Sequence, residues 1–332
     1  MKKTLQFLFE HKSLDREQAY QLMIDMAEGK CNEAEMAACM TVYQMRHITI
    51  DEMLGFRAAL LDKAVKPALE QPQLMDIVGT GGDGKNTFNI STLACFIVAG
   101  AGVTVAKHGN YGASSISGAS NVMENLGYRF KNDASALNKE LDRAGICFLH
   151  APLFHPALKI VAGIRKQLGF RTLFNMLGPM VNPALPQTQV VGVYNLEMAR
   201  IYQYLLQSEA QSFTIVHSLD GYDEISLTAD TKIITQAGEK VLSPLVLGKR
   251  WVSPEDIYGG NTTAEAAAVF KKIIQGDGSW AQNAVVLANA AVALQASGRY
   301  HGYSEAYAAA VESLESGKAA QALKNLISLQ AA

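Results

Sequence analysis

The residues best suited to chemistry stand in one run, Gly79-Thr80-Gly81-Gly82-Asp83-Gly84-Lys85-Asn86-Thr87-Phe88-Asn89-Ile90-Ser91-Thr92. Glycines let a backbone turn through positive φ and pass close to a ligand, so that its N–H groups can face an anion. Asn89, Ser91 and Thr92 then place polar groups where a helix would begin, and a helix N-terminus attracts phosphate. The run has neither the GxGxxG spacing of a dinucleotide site nor the Gly-Lys-Ser/Thr ending of a nucleoside-triphosphate loop. It reads as a cradle for some other phosphorylated ligand. Asp83 is placed to accept from a sugar hydroxyl, and Ser91 to meet magnesium or a phosphate oxygen.

Three further groups follow. Lys107-His108-Gly109-Asn110 ends an apolar run and leads into Tyr111-Gly112-Ala113-Ser114-Ser115-Ile116-Ser117-Gly118-Ala119-Ser120. Lys107 offers a positive charge, and the Ser/Gly stretch offers backbone donors. Asp220-Gly221-Tyr222-Asp223-Glu224 follows another apolar run and reads as a magnesium station, because hard cations prefer carboxylate oxygens. Arg165, on a helix expected over 157–168, has the planar fork that grips a carboxylate. Arg165 reads equally as an exposed surface arginine. Taken singly, the others also admit plainer readings: a tight strand-to-helix turn, a solvated loop, an acidic turn. His150 and His155 fit no close zinc spacing and read better as core or loop histidines.

Elements must hold these groups in place. The first seventy residues read as amphipathic helices, with Asp15/Gln18, Asn32/Glu35 and Thr49/Glu52 spaced as reciprocal caps. From Met75 short apolar runs alternate with glycine turns and helical stretches. Strands are expected over 74–78, 103–107, 146–149, 190–193 and 213–217. Helices are expected over 92–101, 118–126, 134–144, 196–208, 263–275, 279–297, 304–313 and 318–329. That alternation indicates an α/β domain. The dense proline and glycine of 168–186 indicate short helices and a tight crossing between domains.

Composition narrows the classes. The 332 residues suffice for one large core or two unequal domains, and 49% apolar content is ordinary for a globular protein. A formal charge of -2 without a basic block argues against nucleic acid as the main partner. Cys31, Cys39, Cys95 and Cys147 form no close pair, which suits reduced thiols in the cytoplasm. No signal peptide is expected, and the apolar stretch 285–296 is too short to span a bilayer.

The motifs GTGGD, NIST, KHGN, the Ser/Gly-rich loop, GFRTLFNMLGPMVNP (169–183) and DGYDEIS (220–226) stand in an order that resembles the anthranilate phosphoribosyltransferases over nearly the whole chain. Pyrimidine nucleoside phosphorylases are similar in fold and share a Gly-rich phosphate loop. The resemblance implies a small all-helical domain, 1–70, joined by an inserted segment, 168–188. It implies a large α/β domain, 71–167 and 189–332, with a mixed central sheet surrounded by helices. It also implies a homodimer formed through the helical domain. The implied reaction is magnesium-dependent transfer of 5-phosphoribose from phosphoribosyl pyrophosphate to the anthranilate amine, the second step from chorismate in tryptophan biosynthesis.

Family roles then fall on residues of this chain. Gly79, Gly82, Asp83, Thr87, Asn89, Ile90, Ser91 and Thr92 would contact phosphoribosyl pyrophosphate, joined by Lys107, Gly109, Asn110, Ser114, Ser115 and Ala119. Gly79, Asn110 and Arg165 would contact anthranilate, with His108 nearby. Lys107, His108, Asn110 and Arg165 would form the catalytic set. Ser91, Asp223 and Glu224 would hold Mg2+, two ions per subunit. Tyr111 stands where the family usually has arginine, Ile116 for lysine, Ala119 for serine, Asn121 for aspartate and Gly163 for proline. Two alternatives stay open: a nucleoside phosphorylase-like enzyme, which the paired acids after Val216 oppose, and a non-enzymatic nucleic-acid-binding homologue, which the near-neutral charge opposes.

Overall fold

The computed structural model describes residues 1–112, 116–209 and 212–330. Four helices open the chain: α1 (Lys2–Phe9), α2 (Arg16–Ala27), α3 (Glu33–Met45) and α4 (Ile50–Asp62). The last three begin as the sequence anticipates. Asp15, Asn32 and Thr49 each accept from the backbone N–H three residues on, at 2.8, 2.9 and 3.2 Å, and Gln18, Glu35 and Glu52 reach back. Such a cap contributes about 1 kcal/mol. Glu52 also ties the helices together. It is buried, accepts from Leu14 N and Tyr43 OH, both at 3.0 Å, and pairs with Arg46.

The rest is built on a seven-stranded sheet. Its strands are β1 (Met75–Gly79), β2 (Val105–Gly109), β3 (Ile146–His150), β4 (Thr188–Gly192), β5 (Ser212–Ser218), β6 (Thr231–Thr235) and β7 (Gly238–Leu242). They lie in the order β3-β2-β1-β4-β5-β6-β7, the first five parallel and the last two antiparallel. The five expected strands are present. The β6–β7 hairpin was not foreseen, because β7 is an exposed, polar edge strand with little apolar pattern to read.

Helix α5 (Ile90–Gly100) is apolar on nearly every side, as a helix enclosed by neighbours must be. It packs with Trp280–Ala296, Tyr303–Glu315 and Lys318–Ser328 on one side of the sheet. A second core joins α2, α3 and α4 to Pro156–Leu168, Leu173–Leu177 and Leu196–Gln207, and includes Val191, Phe213 and Ile215 of the sheet. This core takes in Ala157, Leu158, Val161 and Ile164, so the helical layer draws on chain before residue 168. Arg57 of α4 fastens it, donating to Met180 O at 2.8 Å and to Glu209 Oε1 at 2.7 Å.

Candidate active site

Parallel strands that diverge in connectivity open a crevice at their C-terminal ends, and here the divergence falls between β1 and β4. In register, Gly79 of β1 lies opposite Gly192 of β4. A side chain at Gly192 would meet backbone, and one at Gly79 would fit only if the Asp223 side chain moved. A Cβ on Gly79 would overlap the Asp223 carboxylate, and one on Gly192 would overlap the Asp223 carbonyl oxygen. The two glycines thus leave a gap in the sheet edge, and the turn after β5 folds back into it. Ser218 Oγ holds that turn by donating to Glu224 O at 2.6 Å, and Gly221 supplies its positive φ of 97°. The acidic pair is thereby brought onto the first glycine loop, where Gly81 N donates to Asp223 Oδ2 at 2.7 Å.

The loop itself runs through positive φ at Gly81, Gly82 and Gly84. Its far side is pinned where Gly259 N donates to Asn86 O at 2.8 Å and Asn86 Nδ2 donates to Gly260 O at 2.7 Å. Glu224 accepts from Ser91 N at 3.1 Å, with a longer contact from Thr87 Oγ1 at 3.4 Å. Burial raises the proton affinity of all three carboxyls, and mutual repulsion adds to it at Asp83 and Glu224. Asp83 is pushed up to about 7, Asp223 is raised, and Glu224 is raised well above the carboxylate range. A divalent cation relieves that condition, and hard oxygen donors suit Mg2+. Among the described residues no three His, Cys, Asp or Glu side chains are arranged to hold an ion by themselves.

The remaining expected contact residues differ in burial and partners. Lys107 is buried, and its Nζ donates to Ile77 O at 2.5 Å, which turns its ammonium toward β1. From there its charge still favours ionised Asp223 and Glu224. Ile90 and Thr92 have buried side chains, and Ile90 N is engaged with Phe88 O. Asn89 bridges the two loops by donating from Nδ2 to Ser117 O at 2.8 Å. Ser114 and Ser115 lie outside the described residues.

The second loop is tied at both ends. Asn121 Oδ1 accepts from Gly112 N at 2.9 Å and Gly118 N at 3.0 Å. A Cβ on Gly109 would come 3.3 Å from the Ala119 Cβ. Asn110 is exposed, its Oδ1 accepting from Tyr111 N at 2.8 Å. Tyr111 OH donates to Glu124 Oε1 at 2.8 Å, and its ring stands edge-on to His150 at 4.9 Å.

Three buried histidines near the second loop are kept neutral. Burial pushes His108 down to about 3 and both His150 and His155 to about 4. His108 Nδ1 faces Gly178 O at 3.1 Å, which assigns the proton to Nδ1 and leaves Nε2 an unpartnered acceptor. His155 faces Val181 O, and His150 faces Ser120 Oγ at 2.8 Å, so both are core histidines. The His150 pKa of about 4 lies below the ~6.5 of an unfolded chain. Between those values the unfolded chain binds more protons, so this residue increasingly opposes folding as pH falls from about 6.5 toward about 4. In urea unfolding, the advantage of the parent over His150→Asn is expected to shrink by on the order of 2 kcal/mol between about pH 7 and about pH 4.5. An unchanged difference would show an imidazole that titrates freely in the fold.

Arg165 is partly buried, and Nη2 donates to Asn175 Oδ1 at 3.2 Å. Its guanidinium lies 5.7 Å from the Phe174 ring centroid. Burial lowers its proton affinity from the ordinary arginine range.

Residues 2–64 match the family described as Glycosyl transferase family, helical bundle domain, and residues 71–320 the family described as Glycosyl transferase family, a/b domain. An anthranilate phosphoribosyltransferase of Flavobacterium johnsoniae is 55% identical over 326 residues, 98% of this chain and 98% of that protein. The chain belongs to the anthranilate phosphoribosyltransferase family. Another member, from Bacteroides fragilis, is 50% identical over 99% of both chains. Among solved structures, the anthranilate phosphoribosyltransferase of Thermus thermophilus superposes with a TM-score of 0.91 at 31% identity, covering 99% of both chains. The Saccharomyces cerevisiae anthranilate phosphoribosyltransferase in complex with PRPP and Mg gives 0.87 at 26% identity, covering 96% of this chain and 94% of that one.

Three residues at the crevice of this anthranilate phosphoribosyltransferase family member are absent from the sequence-derived candidates. Gly192 is one, and the only signal for it was a glycine inside an apolar strand. Asn182 is another, donating to Asp76 Oδ2 and Ala106 O, both at 2.9 Å, behind the crevice. Asn175 is a third, orienting Arg165.

Proposed function

We propose that this chain transfers 5-phosphoribose from phosphoribosyl pyrophosphate to the amine of anthranilate, releasing pyrophosphate. The observation that carries the reading is the Gly79–Gly192 gap filled by Asp223, which sets an acidic pair directly on a phosphate-type loop. Asp223, Glu224 and Ser91 are the residues that would hold Mg2+, two ions per subunit. When bound, Mg2+ supplies charge neutralisation to a departing diphosphate. The loop amides offer fixed dipoles at the same place, and buried Lys107 adds background positive charge. An aniline-type amine is largely unprotonated at neutral pH, so the acceptor needs no strong base, and His108 as a neutral acceptor is compatible with that. The slow step is then departure from C1, with positive charge developing at the ring oxygen. Arg165 and Asn110 orient the aromatic acid, Arg165 through its fork of donors.

The helical layer exposes Phe9 and Met45, at 58% and 81%, which supports a homodimer formed through it. No helix of the described residues is long and apolar enough to cross a membrane, and cytoplasmic residence is part of this reading.

A fluorescence assay of anthranilate consumption, with and without phosphoribosyl pyrophosphate and magnesium, tests the activity. Turnover of uridine or thymidine with orthophosphate in its place would reject it. In that assay Arg165→Ala is expected to raise the anthranilate KM about tenfold or more while moving the donor KM about twofold or less. Equal loss for both substrates would remove Arg165 from the acceptor site.

A further inference from the structure

One cation at the crevice has no role in the reading above. Arg171 lies between Pro156–Leu168 and Leu173–Leu177, and it is exposed. Its alkyl stem covers the first glycine loop. A Cβ on Gly82 would lie 2.7 Å from Arg171 Cδ and 3.2 Å from Cγ. Its guanidinium lies 4.6 Å from the ring centroid of Tyr194, just past the end of β4. Among the described residues no carboxylate pairs with it and no acceptor takes its N–H groups. A planar fork of five donors therefore stands between the phosphate loop and the strand that flanks the crevice.

The other cations near the crevice are placed differently. Lys107 is turned onto Ile77 O. The second loop carries Tyr111 and Ile116, both neutral. Lys85 Nζ lies 4.5 Å from the centroid of the Tyr222 ring, on the acidic turn. Arg165 donates to Asn175 on the acceptor side. Arg171, by contrast, abuts Gly82, whose successor Asp83 is electrostatically tied to Asp223 at the acidic end. In the phosphoribosyl-transfer reading, the anion that meets that end is the diphosphate of the donor.

We propose that Arg171 binds a diphosphate oxygen of the sugar donor, an inference that rests on the phosphoribosyl-transfer reading. It explains Gly82 twice: the loop needs its φ of +72° there, and the arginine stem needs the absence of a Cβ. It also gives the helical layer a hold on the donor, because Leu173 and Phe174, two and three residues past Arg171, belong to the helical core.

Two substitutions separate charge from packing. Arg171→Met keeps an unbranched stem over Gly82 and removes the guanidinium, whereas Arg171→Lys keeps a charge without the fork. Arg171→Met is expected to raise the phosphoribosyl pyrophosphate KM about tenfold, with a similar rise in the inhibition constant of magnesium pyrophosphate. The anthranilate KM should move by about twofold or less, and Arg171→Lys should recover part of the loss. Added salt should raise the donor KM of the parent more steeply than that of Arg171→Met. Donor KM and pyrophosphate inhibition within about twofold of the parent, or a change confined to anthranilate KM, would overturn the assignment while leaving the transferase reading intact. A parent protein that neither turns over the donor nor binds magnesium pyrophosphate would overturn both.

Discussion

With Asp223→Asn and Glu224→Gln combined, turnover is expected to fall by on the order of 10³-fold, and the remainder should no longer rise with magnesium. The amides are close to isosteric, and an amide oxygen at 223 still accepts from Gly81 N, so the turn keeps its geometry. What disappears is the negative charge that would hold a divalent ion against the loop. The same change should not cost stability. The carboxyls of Asp223 and Glu224 have folded proton affinities raised above those of the unfolded chain by burial, Glu224's also by the neighbouring charges of Asp223 and Asp83. Such groups favour the fold at low pH, and that support is lost as pH rises past the unfolded value of about 4. The amide pair carries no such loss, so its metal-free melting temperature at about pH 8 should equal or exceed the parent's. Magnesium-dependent turnover at the parental rate would remove the acidic pair from the mechanism.

Local signals were legible in the sequence, and long-range placement was not. The caps at Asp15, Asn32 and Thr49 could be read because each depends on two residues three apart. The turns of the glycine loop are legible for a similar reason: positive φ at Gly81, Gly82 and Gly84 is a property of the residues themselves. The direction of Lys107 was not. Val105, Ala106, Lys107 and His108 are all buried, as in a parallel strand covered on both faces, so no alternation reveals which face a side chain takes. The partner of Gly79 could not be read either. Gly192 is distant in sequence, and only strand register makes them one gap. The β6–β7 hairpin escaped notice because its outer strand is polar and exposed.

That gap makes the sharpest structural demand in the molecule, and its two glycines should fail differently. At Gly192 an added methyl meets the main-chain carbonyl of Asp223, and the obstacle is backbone on both sides. Gly192 sits in β4, between β1 and β5, so the strand cannot retreat without disturbing both ladders. Gly192→Ala is therefore expected to lower stability by about 3 kcal/mol or more, with a visible drop in melting temperature, and to abolish activity. At Gly79 the methyl meets only the Asp223 carboxylate, which can rotate away. Gly79→Ala should leave stability within about 1 kcal/mol of the parent while activity falls by about 10²-fold, because the displaced carboxylate no longer accepts from Gly81 N. Thermal melts paired with the fluorescence assay separate the two cases. A Gly192→Ala protein that melts and turns over like the parent would mean that Asp223 does not occupy the gap between β1 and β4, and the acidic pair would lose the geometry on which its role depends.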